Sequence, residues 1–142
     1  MKKRKTAVLT IAIGEKFQQI AKLTHPTIKS YAEKIGADFI VIDKDDPNLP
    51  HWNKFEIFNL LKTYSRVIYF DTDIIIREDC PNLFDIVPEK KLGLFNEGRF
   101  DNRVGSMQEA CKAYKEDLPK WDGTYYNTGV MVVSKYHRSL FK

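Results

Sequence analysis

Short apolar runs that alternate with amphipathic helical stripes constrain the fold of this chain most strongly. The runs at 7–13, 37–42 and 66–76 contain many β-branched residues, as buried strands do. Apolar residues in the segments between them recur with helical spacing, at Ile28, Tyr31, Ala32 and Ile35 and again at Ile57, Leu60, Leu61 and Tyr64. This alternation predicts an α/β fold with a mixed, mainly parallel sheet flanked by helices.

Proline and glycine residues predict where several elements begin and end. Pro26 suits the first turn of the first helix, and Gly36 suits its C-terminal cap. Later segments predict a turn and a short helix at 80–86, a strand at 92–95, a polar loop at 96–106, a helix at 107–114 and a strand at 129–133. The length predicts one domain that spans residues 1–142.

Composition and charge exclude several classes of protein. Hydrophobic residues make up 43% of the chain, and the 23 basic residues are interspersed with 19 acidic ones, except in the cluster at 1–5. We therefore expect no nucleic-acid partner and at most a peripheral membrane contact. No apolar run has the length of a membrane span, so we expect a cytoplasmic protein. Cys80 and Cys111 lack a metal-binding spacing and are predicted to be thiols.

Two carboxylates, Asp71 and Asp73, interrupt the apolar run at 66–76. The pattern alone is weak, because a chain with 11 aspartates contains an Asp-x-Asp about once by chance. A second pair, Asp43 and Asp45, precedes a polar turn, whereas apolar residues resume directly after Asp73. Since burying carboxylates is unfavourable without a partner, the context favours a cation-binding role for Asp71 and Asp73.

The chemistry of this pair predicts the class of ligand. Side chains two residues apart in an extended chain project to the same face, so Asp71 and Asp73 can approach one cation. Oxygen ligands suit Mg²⁺ or Mn²⁺, which take their remaining ligands from water and from phosphate groups. We therefore expect a substrate that carries a diphosphate.

Four motifs in a fixed order make the chain resemble a known group of enzymes. They are Trp52-Asn53-Lys54, Phe70-Asp71-Thr72-Asp73, Pro81-Asn82-Leu83-Phe84 and Tyr126-Asn127-Thr128-Gly129-Val130-Met131. Together they resemble the GT-A glycosyltransferases, and most nearly glycosyltransferase family 8, which includes glycogenin and bacterial lipopolysaccharide galactosyltransferases. The resemblance extends from about Thr6 to Ser134.

The resemblance implies a metal-dependent glycosyltransferase with a GT-A-like fold. Its donor would be a nucleotide-diphosphate sugar, commonly a UDP-sugar, and its acceptor a hydroxyl of a glycan, a lipid-linked molecule or a protein. Asp71 and Asp73 would hold Mn²⁺ or Mg²⁺. The donor-binding residues that the resemblance implies are Ala12, Ile13, Phe17, Lys54, Asp71, Thr72, Asn127 and Gly129. Ala12 and Ile13 would offer backbone groups, Phe17 would stack on the base, Lys54 would face the diphosphate, and Asn127 would bind the donor sugar.

Some of the family pattern is not matched, and other interpretations stay open. The family's acidic-amide segment and its metal-binding histidine have no clear counterpart, because neither Asp122 nor His137 has a matching motif. We therefore expect that the chain lacks the C-terminal portion of the family. The alternatives are a non-catalytic nucleotide-sugar-binding domain, a haloacid dehalogenase-type phosphatase, and a purely structural role for the two aspartates. The phosphatase family expects Thr or Val where Ile75 stands.

Overall fold

The computed structural model describes residues 5–44, 50–117 and 120–142, with only the backbone described at 50–52. Five strands are present: β1 (Thr6–Ile11), β2 (Asp38–Ile42), β3 (Arg66–Phe70), β4 (Gly93–Asn96) and β5 (Tyr126–Ser134). The α-helices are α1 (Glu15–Ile35), α2 (Ile57–Thr63), α3 (Leu83–Ile86) and α4 (Val104–Tyr114). Short 3₁₀ helices cover Pro50–Glu56, Glu97–Arg99 and Lys135–Phe141.

The strands form one mixed sheet with the order β2-β1-β3-β5-β4. Both neighbours of β1 run parallel to it, and Val8 is opposite Phe39 on one side and Ile68 on the other. Strand β5 runs antiparallel to β3 and pairs Val130 with Phe70. The predicted α/β class with a mixed, mainly parallel sheet is confirmed, and the carboxyl ends of β1 and β3 lie side by side.

Helices cover both faces of the sheet. On one face, Val8, Ile68 and Val132 belong to a buried cluster that includes Ile28 and Ala32 of α1. Alternate strand residues project to the opposite face. Helix α2 contacts β3, and its fully buried residues, Ile57 and Leu61, lie outside the α1 cluster. The sheet therefore has the two-sided helical cover that its nearly continuous apolar strands require.

Helix α1 is longer than the sequence pattern indicates. It begins at Glu15, so Pro26 lies inside the helix, and the prediction that this proline occupies the first turn is wrong. A proline there removes one main-chain hydrogen bond. The helix continues through it because Ala21 and Thr24, which precede the proline, are buried in the protein. The predicted cap is confirmed, since Gly36 ends the helix with a φ of 67°.

The apolar run at 66–76 does not form a single strand. Strand β3 ends at Phe70, and the chain turns so that the Ile74 N–H lies 3.3 Å from the Asp71 carbonyl oxygen. Beyond the turn, Ile76 is buried in the core cluster and its N–H donates to the Thr27 hydroxyl at 3.0 Å. Ile74 and Ile76 therefore pack in or against the α1 cluster instead of extending the sheet, and Ile75 is exposed.

The chain divides into two compact units. The first comprises Met1–Gly93 and Gly129–Lys142, and the second comprises Leu94–Thr128. In the second unit, α4 begins three residues before the predicted start at Met107, and part of the predicted polar loop forms the 3₁₀ helix Glu97–Arg99. Among the described residues, no helix combines the length and the apolar character that crossing a membrane requires.

Candidate functional site

A cavity of about 300 Å³ lies in the first unit, at the carboxyl ends of β1 and β3. Ligands of open α/β sheets bind at this edge, because the loops that follow adjacent parallel strands diverge there. The cavity is lined by Ile11, Ile13, Phe17, Lys54, Tyr69, Asp71, Thr72 and Asp73. It thus brings together most of the residues that the sequence predicts for the donor and the metal.

Asp71 begins the turn after β3 and is held by three contacts. Its N–H donates to the Gly129 carbonyl oxygen at 2.8 Å. Its Oδ1 atom lies 3.0 Å from the Lys54 ammonium and accepts a hydrogen bond of 2.5 Å from the Tyr69 hydroxyl. The Asp71 side chain is 39% exposed, so this carboxylate lies at the mouth of the cavity. The ammonium of Lys54 balances its charge.

Tyr69 belongs to this site, and the sequence analysis missed it. Its side chain is buried on β3, and its ring centroid lies 4.8 Å from the Lys54 ammonium. Burial raises the pKa of the Tyr69 hydroxyl, and the hydrogen bond to Asp71 and the charges of Asp71 and Asp73 raise this pKa further. The hydroxyl therefore stays protonated and can act as a permanent donor to Asp71. The two-residue spacing from Asp71 along a strand could have revealed it.

Asp73 lines the cavity and is exposed. Its carboxylate makes no hydrogen bond or ion pair within the described ranges 5–44, 50–117 and 120–142. Because residues 71–74 form a turn, the expectation of an extended chain at the two aspartates is wrong. Both carboxylates nevertheless line the same cavity.

Thr72 and Ala12 are committed to contacts inside the protein. The buried Thr72 hydroxyl donates to the Ile11 carbonyl oxygen, and the Thr72 carbonyl accepts a hydrogen bond of 2.5 Å from Thr24. The Ala12 N–H donates to the Ile42 carbonyl oxygen at 2.8 Å. These bonds fasten the ends of β1 and β3 to each other and to their neighbours. Ala12 is buried and is not among the residues that line the cavity, whereas Thr72 is one of them.

Ile13 and Phe17 form an apolar wall of the cavity. Phe17 lies in the first turn of α1 and is 48% exposed, so its ring is available to a ligand. Gly14 precedes the helix with a φ of 83°, a conformation that favours glycine. This sharp bend allows residues on both sides of Gly14 to face one cavity.

Asn127 lies in the second unit and has a different set of neighbours. Its amide nitrogen lies 3.4 Å from Glu97 Oε2, and Glu97 Oε1 lies 2.6 Å from the Arg103 guanidinium. A carboxylate only accepts hydrogen bonds, so Asn127 must direct its nitrogen to Glu97. Glu97 and Arg103 were not predicted from the sequence, because they lie in a segment without periodicity. Gly129, by contrast, is a buried residue of the first unit.

His137 and Asp122, which have no clear family motif, make local contacts. The His137 ring nitrogen Nδ1 accepts a hydrogen bond of 3.1 Å from the Ser134 N–H and caps the last 3₁₀ helix. The Asp122 carboxylate accepts a hydrogen bond of 2.8 Å from the Thr124 N–H, which lowers the pKa of Asp122. Both side chains therefore stabilise turns. Asp45 and the side chain of Trp52 lie outside the described residues.

The oxygen atoms of Asp71 and Asp73 are the groups at this cavity that fit a hard divalent cation. Among the described residues, no group of three or more His, Cys, Asp or Glu side chains could hold a metal ion. Two carboxylates are nevertheless sufficient for Mg²⁺ or Mn²⁺ when a phosphorylated substrate and water supply the remaining ligands. The donor set is therefore compatible with a cation that binds together with a phosphorylated molecule.

Comparison with one solved structure supports the fold. A glycosyltransferase involved in the glycosylation of the major capsid of PBCV-1 superposes with a TM-score of 0.63 and 14% identity. The alignment covers 96% of this chain and 63% of that one. The apo form of the glycosyltransferase GlyE from Streptococcus pneumoniae TIGR4 gives a TM-score of 0.49 at 14% identity and covers 94% of this chain and 34% of its own. The chain therefore spans less than two thirds of either protein.

Sequence comparison identifies the family. A search of curated proteins found no match. Residues 9–137, however, match the profile described as "Glycosyl transferase family 8". Members of this family generally depend on a divalent metal. The match covers most of the chain and includes the ends of β1 and β3 that form the cavity, and the chain therefore belongs to glycosyltransferase family 8.

Proposed function

We propose that this protein binds a nucleotide-diphosphate sugar, most simply a UDP-sugar, together with Mn²⁺ or Mg²⁺, and transfers the sugar to a hydroxyl of an acceptor. The observation that carries the proposal is the convergence of Asp71, Asp73 and Lys54 on one cavity with an apolar wall. Family membership supports sugar transfer. The acceptor in this proposal is a glycan, a lipid-linked molecule or a protein.

The charges at the cavity suit the departure of a nucleoside diphosphate. When the bond between the anomeric carbon and the phosphate oxygen breaks, negative charge develops on the diphosphate. Asp71 and Asp73 would hold a divalent cation, which would supply charge stabilisation there without proton transfer. Lys54 contributes an ammonium on the same side, and such a compact cation is suited to phosphate oxygens.

The remaining lining residues suit the rest of the donor. Phe17 and Ile13 offer apolar surface for the base, and Tyr69 fixes the carboxylate of Asp71. The cavity volume of about 300 Å³ is at the lower end of the range for ligand sites, roughly 300–1,000 Å³. We therefore assign this cavity to the nucleoside diphosphate part of the donor.

The predicted role of Asn127 at the donor sugar is part of the proposal. An Asn127→Ala variant should lose affinity for a UDP-sugar and keep its affinity for UDP, because UDP lacks the sugar. Calorimetric titration with both ligands measures the difference. Equal losses for both ligands would count against a contact with the sugar.

The haloacid dehalogenase interpretation has little support. Residues 9–137 match a glycosyltransferase profile, and the two aspartates follow the third strand of the chain. That phosphatase family normally carries its aspartate pair at the first strand of the domain. We therefore retain glycosyl transfer as the proposed reaction.

A thermal-stability panel tests the proposed function directly. The protein is heated with UDP-sugars and GDP-sugars, each in the presence of Mn²⁺ and in the presence of a chelator. A ligand that binds only the folded state stabilises it by about 2.7 kcal/mol at a concentration of 100 times its Kd. We expect a metal-dependent rise in the melting temperature for at least one donor. A panel without any metal-dependent rise would overturn the proposal.

A turnover assay distinguishes an enzyme from a binding module. The donor that gives the largest thermal shift is incubated with Mn²⁺ and candidate acceptors, and release of the free nucleoside diphosphate is followed. We expect slow hydrolysis of the donor alone and faster release with a suitable acceptor. Tight binding without any release would identify a non-catalytic nucleotide-sugar-binding domain.

A further inference from the structure

Two hydrogen-bond donors converge on a single oxygen of Asp71. The Lys54 ammonium lies 3.0 Å from Oδ1, and the Tyr69 hydroxyl donates to the same atom at 2.5 Å. No further contact to Oδ2 is made from the described part of the chain. One oxygen of this carboxylate is therefore occupied by protein groups, and the other is open to a ligand.

Lys54 supplies the positive charge at the site when no cation is bound. Asp71 and Asp73 place two carboxylates at the cavity. The Lys54 ammonium contacts Asp71 and also lies 4.8 Å from the centre of the Tyr69 ring, whose face attracts cations. The Lys54 and Asp71 side chains are only 29% and 39% exposed, so water screens this pair less than a surface ion pair.

The Lys54 ammonium cannot pair equally well with Asp71 and with a diphosphate at the same time. A divalent cation at Asp71 would repel Lys54, and a diphosphate at the cavity would attract it. Lys54 has a long flexible side chain with a single charged group, so it can exchange one oxygen anion for another at low cost. Tyr69 differs in this respect, because its side chain is buried on β3 and remains next to Asp71.

We propose that Lys54 acts as a stand-in cation: it neutralises Asp71 in the ligand-free protein and pairs with the diphosphate when metal and donor bind together. The inference rests on the proposed function and deepens it. The metal alone must displace Lys54 from Asp71, and the protein then loses this ion pair. The metal with a diphosphate offers the ammonium another oxygen anion, so the two ligands bind cooperatively.

The proposal gives Tyr69 a positioning role. Its hydroxyl donates to Oδ1 and its side chain is buried on β3, so Asp71 keeps one orientation during the exchange. Asp71, which would contact an incoming metal, thus remains fixed, and the Lys54 ammonium is the part that moves. Cooperativity then arises from one side chain, without any rearrangement of the strands.

Metal and nucleotide titrations of three proteins test the inference. Binding of Mn²⁺ alone, of UDP alone and of each in the presence of the other is measured by calorimetry and by the electron paramagnetic resonance of free Mn²⁺. The proteins are the wild type, Lys54→Met, and the control Lys62→Met, whose ammonium lies over the Phe58 ring 5.6 Å from its centroid. The methionine side chain keeps most of the apolar stem of lysine and removes its charge.

The expected pattern is opposite for the two ligands. Lys54→Met should bind Mn²⁺ alone about 5- to 10-fold more tightly than the wild type and bind UDP with Mn²⁺ about 10-fold more weakly. In the wild type, Mn²⁺ should raise the affinity for UDP by about 10-fold or more, and in Lys54→Met this factor should fall towards one. UDP must raise the affinity for Mn²⁺ by the same factor in each protein, because coupling is reciprocal. Lys62→Met should behave as the wild type.

Several results would overturn the inference. Independent binding of Mn²⁺ and UDP to the wild type would do so without any variant, as would Mn²⁺ affinity in Lys54→Met that is unchanged or weaker. If Lys54→Met fails to fold, Lys54→Gln provides the same charge removal with a polar side chain. A wild-type protein that binds neither Mn²⁺ nor UDP would instead refute the proposed function, so the two failures are distinguishable.

Discussion

The turn after β3 and the segment around Asn127 hold their polar side chains in different ways. Asp71 directly follows a strand whose last four residues are buried, and its N–H is bonded to the Gly129 carbonyl oxygen of β5. Asn127 is exposed at the start of β5 and contacts Glu97, which is held in turn by Arg103. The first position is set by main-chain pairing of the sheet, whereas the second depends on charged side chains.

This difference leads to different expectations for substitutions. A side chain at the end of a paired strand can be changed without moving its backbone, so the effect should fall on ligand binding. Removing a charge from a network of side-chain contacts should instead loosen the segment itself, because the neighbouring side chains lose the ion pair or hydrogen bond that holds them. The predictions below test this distinction in order of decreasing effect.

The largest effect is expected from Asp71→Asn and Asp73→Asn. Each substitution removes one negative charge from the proposed metal site and changes little in size. We expect the affinity for UDP with Mn²⁺ to fall by about 100-fold or more, which corresponds to about 2.8 kcal/mol. Calorimetry with UDP and Mn²⁺ measures the loss, and urea unfolding checks that the fold is retained.

Asp43→Asn is the matched control for these two variants. Asp43 belongs to the other Asp-x-Asp pattern, is exposed, and follows β2. Its substitution should leave the affinity for UDP with Mn²⁺ unchanged. If Asp71→Asn and Asp73→Asn also leave that affinity unchanged, the two aspartates have the purely structural role that the sequence left open.

Thr72→Val should lower stability more than ligand affinity. The substitution removes the hydroxyl that donates to the Ile11 carbonyl oxygen and keeps the shape of the side chain. We expect the free energy of unfolding to fall by about 1 to 2 kcal/mol, because a polar group between the ends of two strands loses its partner. Urea unfolding measures this loss.

The exposed residue Thr63, at the end of α2, provides the control for Thr72. Thr63→Val should change the free energy of unfolding by no more than about 0.5 kcal/mol. The family resemblance implies instead that Thr72 contacts the donor. A Thr72→Val protein of normal stability that no longer binds UDP would favour that role over the structural one.

Glu97→Gln should loosen the segment that holds Asn127. It removes the charge that pairs with Arg103 at 2.6 Å, and partly exposed pairs of this kind contribute about 0.2–1 kcal/mol. Hydrogen exchange should speed up at the amides of Glu97 and Gly98, which donate to the Tyr125 carbonyl oxygen at 2.8 and 3.2 Å. Amides of β1 and β3 should exchange as in the wild type.

Asp101→Asn tests whether Glu97 or Asp101, which both pair with Arg103, orders this segment. Asp101 pairs with the same Arg103 guanidinium at 3.3 Å, but its side chain is 57% exposed. The greater exposure predicts a smaller change in exchange than for Glu97→Gln. A larger change would mean that Asp101, and not Glu97, orders this segment.

The elements that could be predicted from sequence are those whose pattern reflects burial on a sheet. The strand at 37–42 and Gly36 as a helix cap were recognisable because strand burial and a left-handed cap each leave a local pattern. The start of α1 was not, because residues 15–25 contribute few buried side chains and Pro26 argues locally for a later beginning. Packing on the sheet overrides that local preference.

The site residues divide in the same way, into those that a local sequence pattern reveals and those that only tertiary contacts bring together. Asp71, Asp73 and Lys54 were recognisable from composition around a strand end and from family motifs, and all three line the cavity. The turn that breaks the run at 66–76 was not predictable, because the Thr72 carbonyl oxygen is bonded to Thr24 of α1, which only the folded structure brings near. Glu97 could not be found for a similar reason, since its contacts arise between segments without periodicity.

The smallest effect is expected from the pH dependence of stability at His25. Burial lowers the pKa of His25 below its usual value of 6.5, and the ring lies edge-on to Phe39 with a centroid distance of 5.9 Å. The unfolded chain therefore binds more protons than the folded one as the pH falls below this value. Because protons favour the unfolded state, His25 reduces stability as the pH decreases from about 6.5 towards the lowered pKa.

The His25→Gln variant should lose less stability than the wild type between about pH 7.5 and about pH 5.5, as measured by urea unfolding at both values. Equal losses in the two proteins would show that other groups carry the pH dependence. A greater loss in His25→Gln would mean that the folded protein stabilises the protonated ring, contrary to the effect of its burial.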